Sequence, residues 1–223
     1  MASFGAQSTD EHSPTDSHPG LSMITGLAGN ALGLDYTDTP ALQSIQDRLL
    51  LATAALKPGT LEEDFQTAEL DPDVRLWAAS GPVRDRKACS RDAFRGPTLR
   101  RRRYLADVDF LAAIALDPPG GQPSLLDLAR AFHRPARGLS LGRADFPPSR
   151  PVFQGVSPDP DPRAVLDRLL AGRPAPARWS AALGDPAGDA ASRPVHDLKT
   201  WQDAIHQGSR LVYEGQLGCA LPA

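Results

Sequence analysis

The stretch Val108–Leu116, VDFLAAIAL, decides the fold class of this 223-residue chain. Its apolar residues alternate as they do along a β-strand of a hydrophobic core. One side carries Val108, Phe110, Ala112, Ile114 and Leu116. The other side is also mostly apolar after Asp109. We therefore expect a strand that is covered on both faces and central in its sheet.

Helix signals lie on both sides of this strand. Apolar spacing, N-caps and stop signals predict helices at Leu21–Leu32, at Ala41–Leu51, from the N-cap Ser124 to Pro135 and from Pro162 to Gly172. Short apolar runs predict strands within LLLATAAL (49–56) and at Leu139–Leu141. This order is typical of an α+β sandwich with helices on one face of an antiparallel sheet. The other face of the sheet, or its loops, would then be free to hold single-stranded RNA.

The basic residues are concentrated in two stretches. Residues 1–73 carry a net charge of −10, whereas Arg84–Arg103 carries +7 and Arg130–Arg150 carries +4. Of the 24 basic residues, 21 are arginine, whose planar guanidinium suits phosphates and base edges. Clustered arginines in an otherwise acidic chain favour a nucleic-acid partner. The alternative is a solvated charged face.

The sequence carries no motif of a common catalytic or metal centre. It has no P-loop, no HExxH and no GxSxG sequence. Cys89 and Cys219 are far apart, and we expect free thiols. His133 follows Phe132 at a helix end, where a structural role is favoured. We expect no metal and no cofactor, and the lack of a signal peptide and of a long apolar run predicts a cytoplasmic protein without a membrane segment.

Three segments are expected to lie outside the central elements. Glu62, Glu63 and Asp64 are adjacent carboxylates, which we expect in a solvated turn. Residues 173–194 are rich in Pro, Ala and Gly, which predicts a linker or mobile loop. Val195–Gly215 is then expected to add a final helix and strand.

Candidate nucleic-acid contacts lie in LRRRRYLAD (99–107). On a strand, Arg100 and Arg102 point to one side while Arg101 and Arg103 point to the other. Two arginines can therefore face a phosphate chain while the others pair with acids. Tyr104 is a candidate for stacking on a base.

A second set of candidates lies in the loop LGRADFPPSRPVFQG (141–155). Prolines separate Arg143 from Arg150, and their stiffness lowers the entropy cost of holding two guanidinium groups in place. Phe146 and Phe153 could stack on bases, but anchoring of the loop or the core is the favoured interpretation.

Five segments in a fixed order resemble a known family. They are MASFGAQSTDEHSPT (1–15), HPGLSMITGLAGNALG (18–33), DFQT (64–67), RRYLAD (102–107) and LGRADFPPSRPVFQG (141–155). The chain resembles the CasD-type subunits of type I-E CRISPR Cascade complexes, members of the repeat-associated mysterious protein (RAMP) superfamily. The resemblance implies a ferredoxin-like, RNA-recognition-like sandwich with a basic hairpin. It also implies a subunit that holds the 5′ handle of the CRISPR RNA, caps the backbone subunits and contacts the large subunit.

The resemblance also assigns roles to individual residues. Gly26, Gly29 and Gly33 match structural glycines of the family's first helix, Arg143 matches the arginine of its LGR motif, and Ser149–Pro151 matches its Pro-rich loop. The predicted RNA-binding residues are Arg100, Arg101, Arg102, Arg103, Tyr104, Arg143, Ser149 and Arg150. The first strand of the family's fold has no counterpart here, so we expect Met1 to be an internal methionine with an apolar strand encoded upstream.

These observations lead to one expected function and one alternative. We expect residues 1–155 to form a RAMP ferredoxin-like domain and residues 156–223 a small C-terminal region. The expected function is non-catalytic CRISPR RNA binding in antiviral defence. The alternative is a metal-independent endoribonuclease that cuts CRISPR repeat RNA, as the related type I-C subunit does. That reaction needs an acid/base pair, and the basic stretch beside Tyr104 contains no histidine.

Overall fold

A computed structural model describes residues 1–5, 12–68, 98–172, 177–181, 191–203 and 205–217. The first part of the first basic stretch, with Cys89, and also Cys219 lie outside the described residues. The elements are β1 (His12–Ser13), α1 (Leu21–Leu32), α2 (Thr39–Arg48), β2 (Leu49–Lys57), β3 (Thr60–Ala68), β4 (Thr98–Ala106), β5 (Asp109–Leu116), α3 (Leu125–His133), α4 (Pro162–Leu170), β6 (Ala177–Ala181), β7 (Ala191–Thr200) and β8 (Ile205–Leu217).

The described strands form two sheets. The larger sheet has five strands in the order β5-β2-β6-β8-β7, and every pair in it is antiparallel. The smaller sheet has the order β1-β4-β3, in which β4 pairs antiparallel with β3 and parallel with β1. The chain therefore has the mixed α+β architecture that the sequence predicts.

The alternating stretch forms β5, but its place in the sheet differs from the expectation. Among the described strands β5 pairs only with β2, with Leu116 opposite Leu49 and Ile114 opposite Leu51. It is thus an edge strand of the described sheet, and the expected central position is wrong for it. Apolar alternation reports burial of the strand faces, whereas the edge position depends on which strand lies beside it.

Helices cover both faces of the larger sheet, so the expectation of helices on one face is wrong. On one face, Leu49 and Leu51 of β2 join the core cluster that contains Ile45 of α2 and Leu128 of α3. On the other face, Ala52 and Ala54 join the cluster that contains Leu166 and Leu170 of α4. Successive strand residues point to opposite faces, so β2 serves both cores. The face once expected to be open to RNA is covered by α4 at these positions.

Local signals place the helix ends well. Ser124 and Asp127 form a reciprocal capping box at the start of α3, and the Asp161 side chain accepts a hydrogen bond from the backbone N–H of Arg163 at the start of α4. Helix α2 ends at Arg48, earlier than expected. The next residues, Leu49–Leu51, pair with β5 instead of continuing the helix.

The C-terminal segment extends the same sheet. Part of the expected linker, Ala177–Ala181, is strand β6 and pairs with both β2 and β8. Residues 191–194 of the expected linker belong to strand β7, so the linker prediction is wrong for both parts. Residues 173–176 and 182–190 lie outside the described residues. The expected final helix is also wrong, because Ala191–Thr200 and Ile205–Leu217 form the antiparallel pair β7 and β8. The boundary at residue 155 remains a prediction.

Candidate nucleic-acid interface

Strands β3 and β4 form a two-stranded ladder that carries the basic run. Glu62 pairs with Tyr104, Glu63 with Arg103 and Asp64 with Arg102. The three carboxylates therefore lie within a strand, and the expectation of a solvated turn is wrong. Glu63 and Asp64 stand directly opposite arginines, and opposite charges at cross-strand positions stabilise such a ladder.

The arginines on the two faces of the ladder differ in their ion pairs. On one face, Glu63 lies 3.2 Å from Nε of Arg103 and 3.9 Å from Nη1 of Arg101. Both arginine side chains remain about half exposed, at 53% and 52%. On the opposite face, Arg100 and Arg102 form no ion pair with any described residue. The alternation confirms the predicted division of the run, with Arg101 and Arg103 as the paired set.

An exposed aromatic residue lies on the same face as Arg101 and Arg103. The sequence analysis did not predict it. Phe65 is 56% exposed, and the guanidinium carbon of Arg101 lies 5.9 Å from its ring centroid. Phe65 stands directly opposite Arg101 in the ladder. The signal was available in DFQT (64–67), because a strand would alternate Phe65 with its polar neighbours. An exposed ring next to arginines suits stacking on a nucleic-acid base.

Arg143 is tied to the ladder from a distant loop. Its Nη2 atom lies 3.0 Å from Asp64 Oδ2 and 3.4 Å from Asp145 Oδ2, and its side chain is 14% exposed. Its guanidinium carbon lies 4.7 Å from the ring centroid of Phe146. The other terminal nitrogen, Nη1, is buried and has no hydrogen-bond partner among the described residues. Arg143 therefore fastens the loop to β3 and keeps one donor uncommitted.

The N-terminal residues hold the same loop from its other side. The backbone N–H of Ser3 donates to the carbonyl of Leu141 at 3.0 Å, and Ala2 exchanges backbone hydrogen bonds with Leu105 of β4. Gly142 has φ +92°, and a Cβ at this position would overlap the carbonyl oxygen of Ser3. Only glycine fits this close approach. The ladder, the N-terminal segment and the loop are thus one connected unit.

The prediction of a strand at Leu139–Leu141 is wrong, because these residues enter a tight loop. The backbone N–H of Leu141 donates to the carbonyl of Phe146 at 2.8 Å, which closes a tight loop. Leu139 is instead buried against Leu27 and Ala31 of α1. A segment of three apolar residues does not distinguish a strand from a buried loop, because it is too short to show a period.

The aromatic residues of the loop are anchors, as predicted. Phe146 is 5% exposed, and its ring centroid lies 5.3 Å from that of Tyr104. Phe153 packs edge-on against His133 at 5.7 Å. Tyr104 is half-buried against Phe146. Its proposed stacking on a base remains a prediction.

The remaining predicted contacts, Ser149 and Arg150, lie on the exposed part of the loop. Arg150 is 70% exposed and pairs with Asp109 of β5 at 2.6 Å. Ser149 is exposed. The structure thus connects Arg143 with the ladder through Asp64, whereas Arg150 lies beside the start of β5.

Of the three glycines matched to the family's first helix, the structure explains Gly29 and Gly33. A Cβ at Gly29 would overlap Leu42 of α2, whereas a Cβ at Gly26 would make an ordinary van der Waals contact with the Trp201 ring at 3.5 Å. Gly33 ends α1 with φ +81° as its C-cap, a backbone conformation that favours glycine. Gly29 therefore allows close approach of a side chain to α1.

The part of the chain that the structure describes contains neither a cluster of metal ligands nor a membrane-spanning helix. There, His, Cys, Asp and Glu side chains form no group of three or more that could hold a metal ion. None of the described helices has both the length and the apolar character needed to cross a membrane.

Comparison with known proteins adds a family match to this geometry. Residues 1–213 match the family described as CRISPR-associated protein (Cas_Cas5). A relative, the CRISPR system Cascade subunit CasD of Escherichia coli (strain K12), is 28% identical over 173 residues, which is 74% of this chain and 71% of the relative.

Two solved structures share the fold. One, titled CRISPR RNA-guided surveillance complex, superposes with a TM-score of 0.67 at 20% identity, covering 99% of this chain and 88% of the matched chain. The other, titled Crystal structure of Cas protein, has a TM-score of 0.61 at 22% identity, covering 97% and 90%. At these identities the likeness concerns the fold.

Proposed function

Because the chain belongs to the Cas5 family of CRISPR-associated proteins, we propose that it is a non-catalytic subunit that binds CRISPR RNA in a type I-E Cascade complex. In this role it holds the 5′ handle of the RNA and caps the backbone subunits, in defence against viruses. The similarity to a Cascade subunit supports this role.

The observation that carries the proposal is the arginine run on β4. Arg101 and Arg103 share a single carboxylate, Glu63, and Arg100 and Arg102 form no ion pair among the described residues. The run therefore keeps an excess of positive charge on an exposed ladder. Exposed arginines attract phosphates and release counterions when RNA binds. Phe65 adds an exposed ring on the same face as Arg101 and Arg103.

The loop gives this surface a fixed shape. Arg143 pairs with Asp64 of β3, and Gly142 lies against the Ser3 backbone. Arg150 and Ser149 follow on the exposed part of the loop. A loop held in place on two sides loses less entropy when it binds RNA. In this proposal Arg143 orients the loop through Asp64, while Arg150 and Ser149 contact RNA directly.

The free edge of β5 bears on the finer fold assignment. In the proposed ferredoxin-like sheet, a further strand pairs with β5. Among the described strands β5 has only β2 as a neighbour, and unpaired backbone groups along such an edge are a liability.

Binding to end-labelled CRISPR repeat RNA in EDTA, read on native and denaturing gels, tests the function. The expected result is a retarded band of uncut RNA, with weaker binding when the handle sequence is scrambled. The variant Arg101→Ala/Arg103→Ala is expected to lower the slope of log affinity against log salt by about 1.4, since each phosphate contact with a single strand contributes about 0.7. Arg168→Ala is the matched control, because Arg168 is exposed at 55% and ion-paired on α4.

The same gels separate the proposal from its alternatives. A shortened RNA in EDTA overturns the non-catalytic role in favour of a metal-independent endoribonuclease. Absence of a retarded band overturns RNA binding by this chain. Partner contacts are tested by copurification with the backbone and large subunits when all are expressed together, and failure to copurify contradicts assembly into the complex.

A further inference from the structure

A cavity of about 500 Å³ lies where the C-terminal ends of α1 and α3 meet. Its apolar floor consists of Ala31, Leu32, Ala131 and Ala136. Its rim carries Arg130, His133 and Arg134. The cavity is shallow and open to solvent.

Two arginines of the second basic stretch, Arg130 and Arg134, line this cavity and are not part of the proposed RNA surface. Arg143 and Arg150 of that stretch lie on the loop beside the ladder and β5. Arg137 is occupied elsewhere, since it donates to the carbonyls of Gly33 and Leu34 and pairs with Asp35 at 2.6 Å. Arg130 and Arg134 remain, one helical turn apart at the end of α3.

The charges on the rim are only weakly neutralised. Arg130 is 71% exposed and lies 3.7 Å from Asp127, and exposed pairs of this kind contribute little. Arg134 is exposed and forms no ion pair with a described residue. The negative end of the α1 dipole is offset by Arg137, whose guanidinium binds the Gly33 and Leu34 carbonyls. The C-terminal end of α3 adds a partial negative charge of about 0.5, which is smaller than the two positive charges of Arg130 and Arg134, so the rim is available to an anion.

Resting on the proposed function, we propose that this cavity binds one nucleotide of single-stranded RNA, with its base on the alanine floor and its phosphate between Arg130 and Arg134. A small apolar floor accepts the flat face of a base, and two arginines one turn apart can both reach one phosphate. An acidic peptide would use the arginines and leave the apolar floor uncovered. His133, held edge-on by Phe153 at 5.7 Å, lies at the rim where the base enters.

The experiment uses the full chain and the end-labelled CRISPR repeat RNA, with affinity measured at several salt concentrations. Arg130→Ala/Arg134→Ala removes the rim charges from exposed positions and is expected to weaken binding about tenfold and to lower the salt slope by up to about 0.7, for one phosphate contact. Ala136→Phe fills the floor and leaves all charges in place. It is expected to weaken binding about fivefold, the lower end of the effect of one stacked base, with an unchanged salt slope. Arg168→Ala and Ala171→Phe, both on exposed positions of α4 or its C-cap, are the matched controls.

The outcomes distinguish this inference from the proposed function. If the unmodified chain does not bind the RNA, both fail. If Arg101→Ala/Arg103→Ala weakens binding and the cavity variants do not, the proposed function stands and the cavity site is overturned. If Arg130→Ala/Arg134→Ala weakens binding but Ala136→Phe does not, the arginines act as diffuse charge and the nucleotide pocket is overturned. If the cavity variants bind RNA normally but no longer copurify with another subunit, the cavity is a protein contact and the inference is wrong.

Discussion

The carboxylate of Asp197 accepts a hydrogen bond of 2.7 Å from the backbone N–H of Leu21, across 176 positions of sequence. Asp197 lies on β7 and caps the N-terminus of α1, for which Gly20 supplies no side chain. A Cβ at Gly20 would lie 2.9 Å from the Asp197 Cβ, so glycine permits this approach. The second partner of Asp197 is Arg210, at 2.7 Å. This one carboxylate connects the C-terminal strands to the first helix.

Asp197→Ala is expected to lower the free energy of unfolding by about 3–5 kcal/mol. Asp197 is 1% exposed and the Arg210 side chain 16%, so the substitution leaves a buried guanidinium without its counter-charge. Urea denaturation of the purified chain measures the effect. Asp203→Ala, at an exposed position in the turn after β7, is the control, and equal losses in both variants would contradict the capping role.

The stability of the protein is expected to depend on Asp16 at acidic pH. Burial alone would raise the pKa of this carboxyl, but its hydrogen bonds and its attraction to Arg193 outweigh burial and hold the pKa below its ordinary value. Nη2 of Arg193 lies 2.7 Å from Asp16 Oδ1. A depressed pKa in the folded state contributes stability above the unfolded value of about 3.9. That stability is lost as the pH falls through the folded pKa.

Unfolding of the unmodified chain and of Asp16→Asn, followed from neutral pH downward, measures this dependence. The stability difference between them is expected to stay constant above about pH 5 and to shrink below about pH 4. A difference that is independent of pH down to the acid limit of folding would show that the Asp16 charge contributes nothing. Asp38→Asn, at an exposed carboxyl before α2, is the matched comparison.

Gly142→Ala is expected to destabilise the loop that follows α3. Its φ of +92° is unfavourable for alanine, and the added methyl group would overlap the Ser3 carbonyl oxygen. Backbone strain of this kind costs about 1–3 kcal/mol before any clash is counted. Gly138→Ala serves as the control, because a Cβ there meets nothing within 4 Å. The idea is wrong if the two variants unfold at the same urea concentration.

Arg143 and Asp64 are expected to be energetically coupled across 79 positions of sequence. A double-mutant cycle with Arg143→Ala, Asp64→Ala and the double variant is expected to give a coupling of about 0.5–3 kcal/mol, as found for contacting residues in one network. Arg163 and Asp64, which have no ion pair with each other, make the comparison cycle. Additive effects in both cycles would contradict the assigned role of the ion pair.

Replacement of Arg143 and Arg150 together by alanine is expected to weaken retention of CRISPR RNA and to flatten its salt dependence. The salt slope is expected to fall by up to about 0.7, for the phosphate contact of the exposed Arg150, while loss of Arg143 frees the loop from Asp64. Circular dichroism and urea denaturation of the same variant establish that it is folded. Unchanged retention in the folded variant would remove both arginines from the RNA surface.

Signals that act within a few residues predicted much of the secondary structure. The capping box of Ser124 and Asp127 and the N-cap Asp161 were recognisable, because each involves groups within one helical turn. The alternating apolar residues of β5 were recognisable for the same reason. The division of Arg100–Arg103 between two faces followed from the period of a strand alone.

Features that depend on distant partners were missed. Strand β6 lies within a Pro- and Ala-rich segment without periodicity, and it is a strand because Trp179 and Ala181 are buried between β2 and β8. Glu62–Asp64 was mistaken for a turn because its pairing partners, Arg102–Tyr104, lie 40 residues away in the chain. The local sequence does not indicate which distant strand pairs with either segment.

Composition and local chemistry were therefore sufficient for the N-terminal ends of α3 and α4, the α+β class and the location of the basic surface. Tertiary structure decided which arginines remain available on it. Arg143 is neutralised by Asp64 and Asp145, whereas Arg101 and Arg103 share the single carboxylate of Glu63 and remain half exposed. The physical reason is that a charge is screened or offset by whatever lies within a few ångströms of it, and chain folding brings those neighbours together from distant positions.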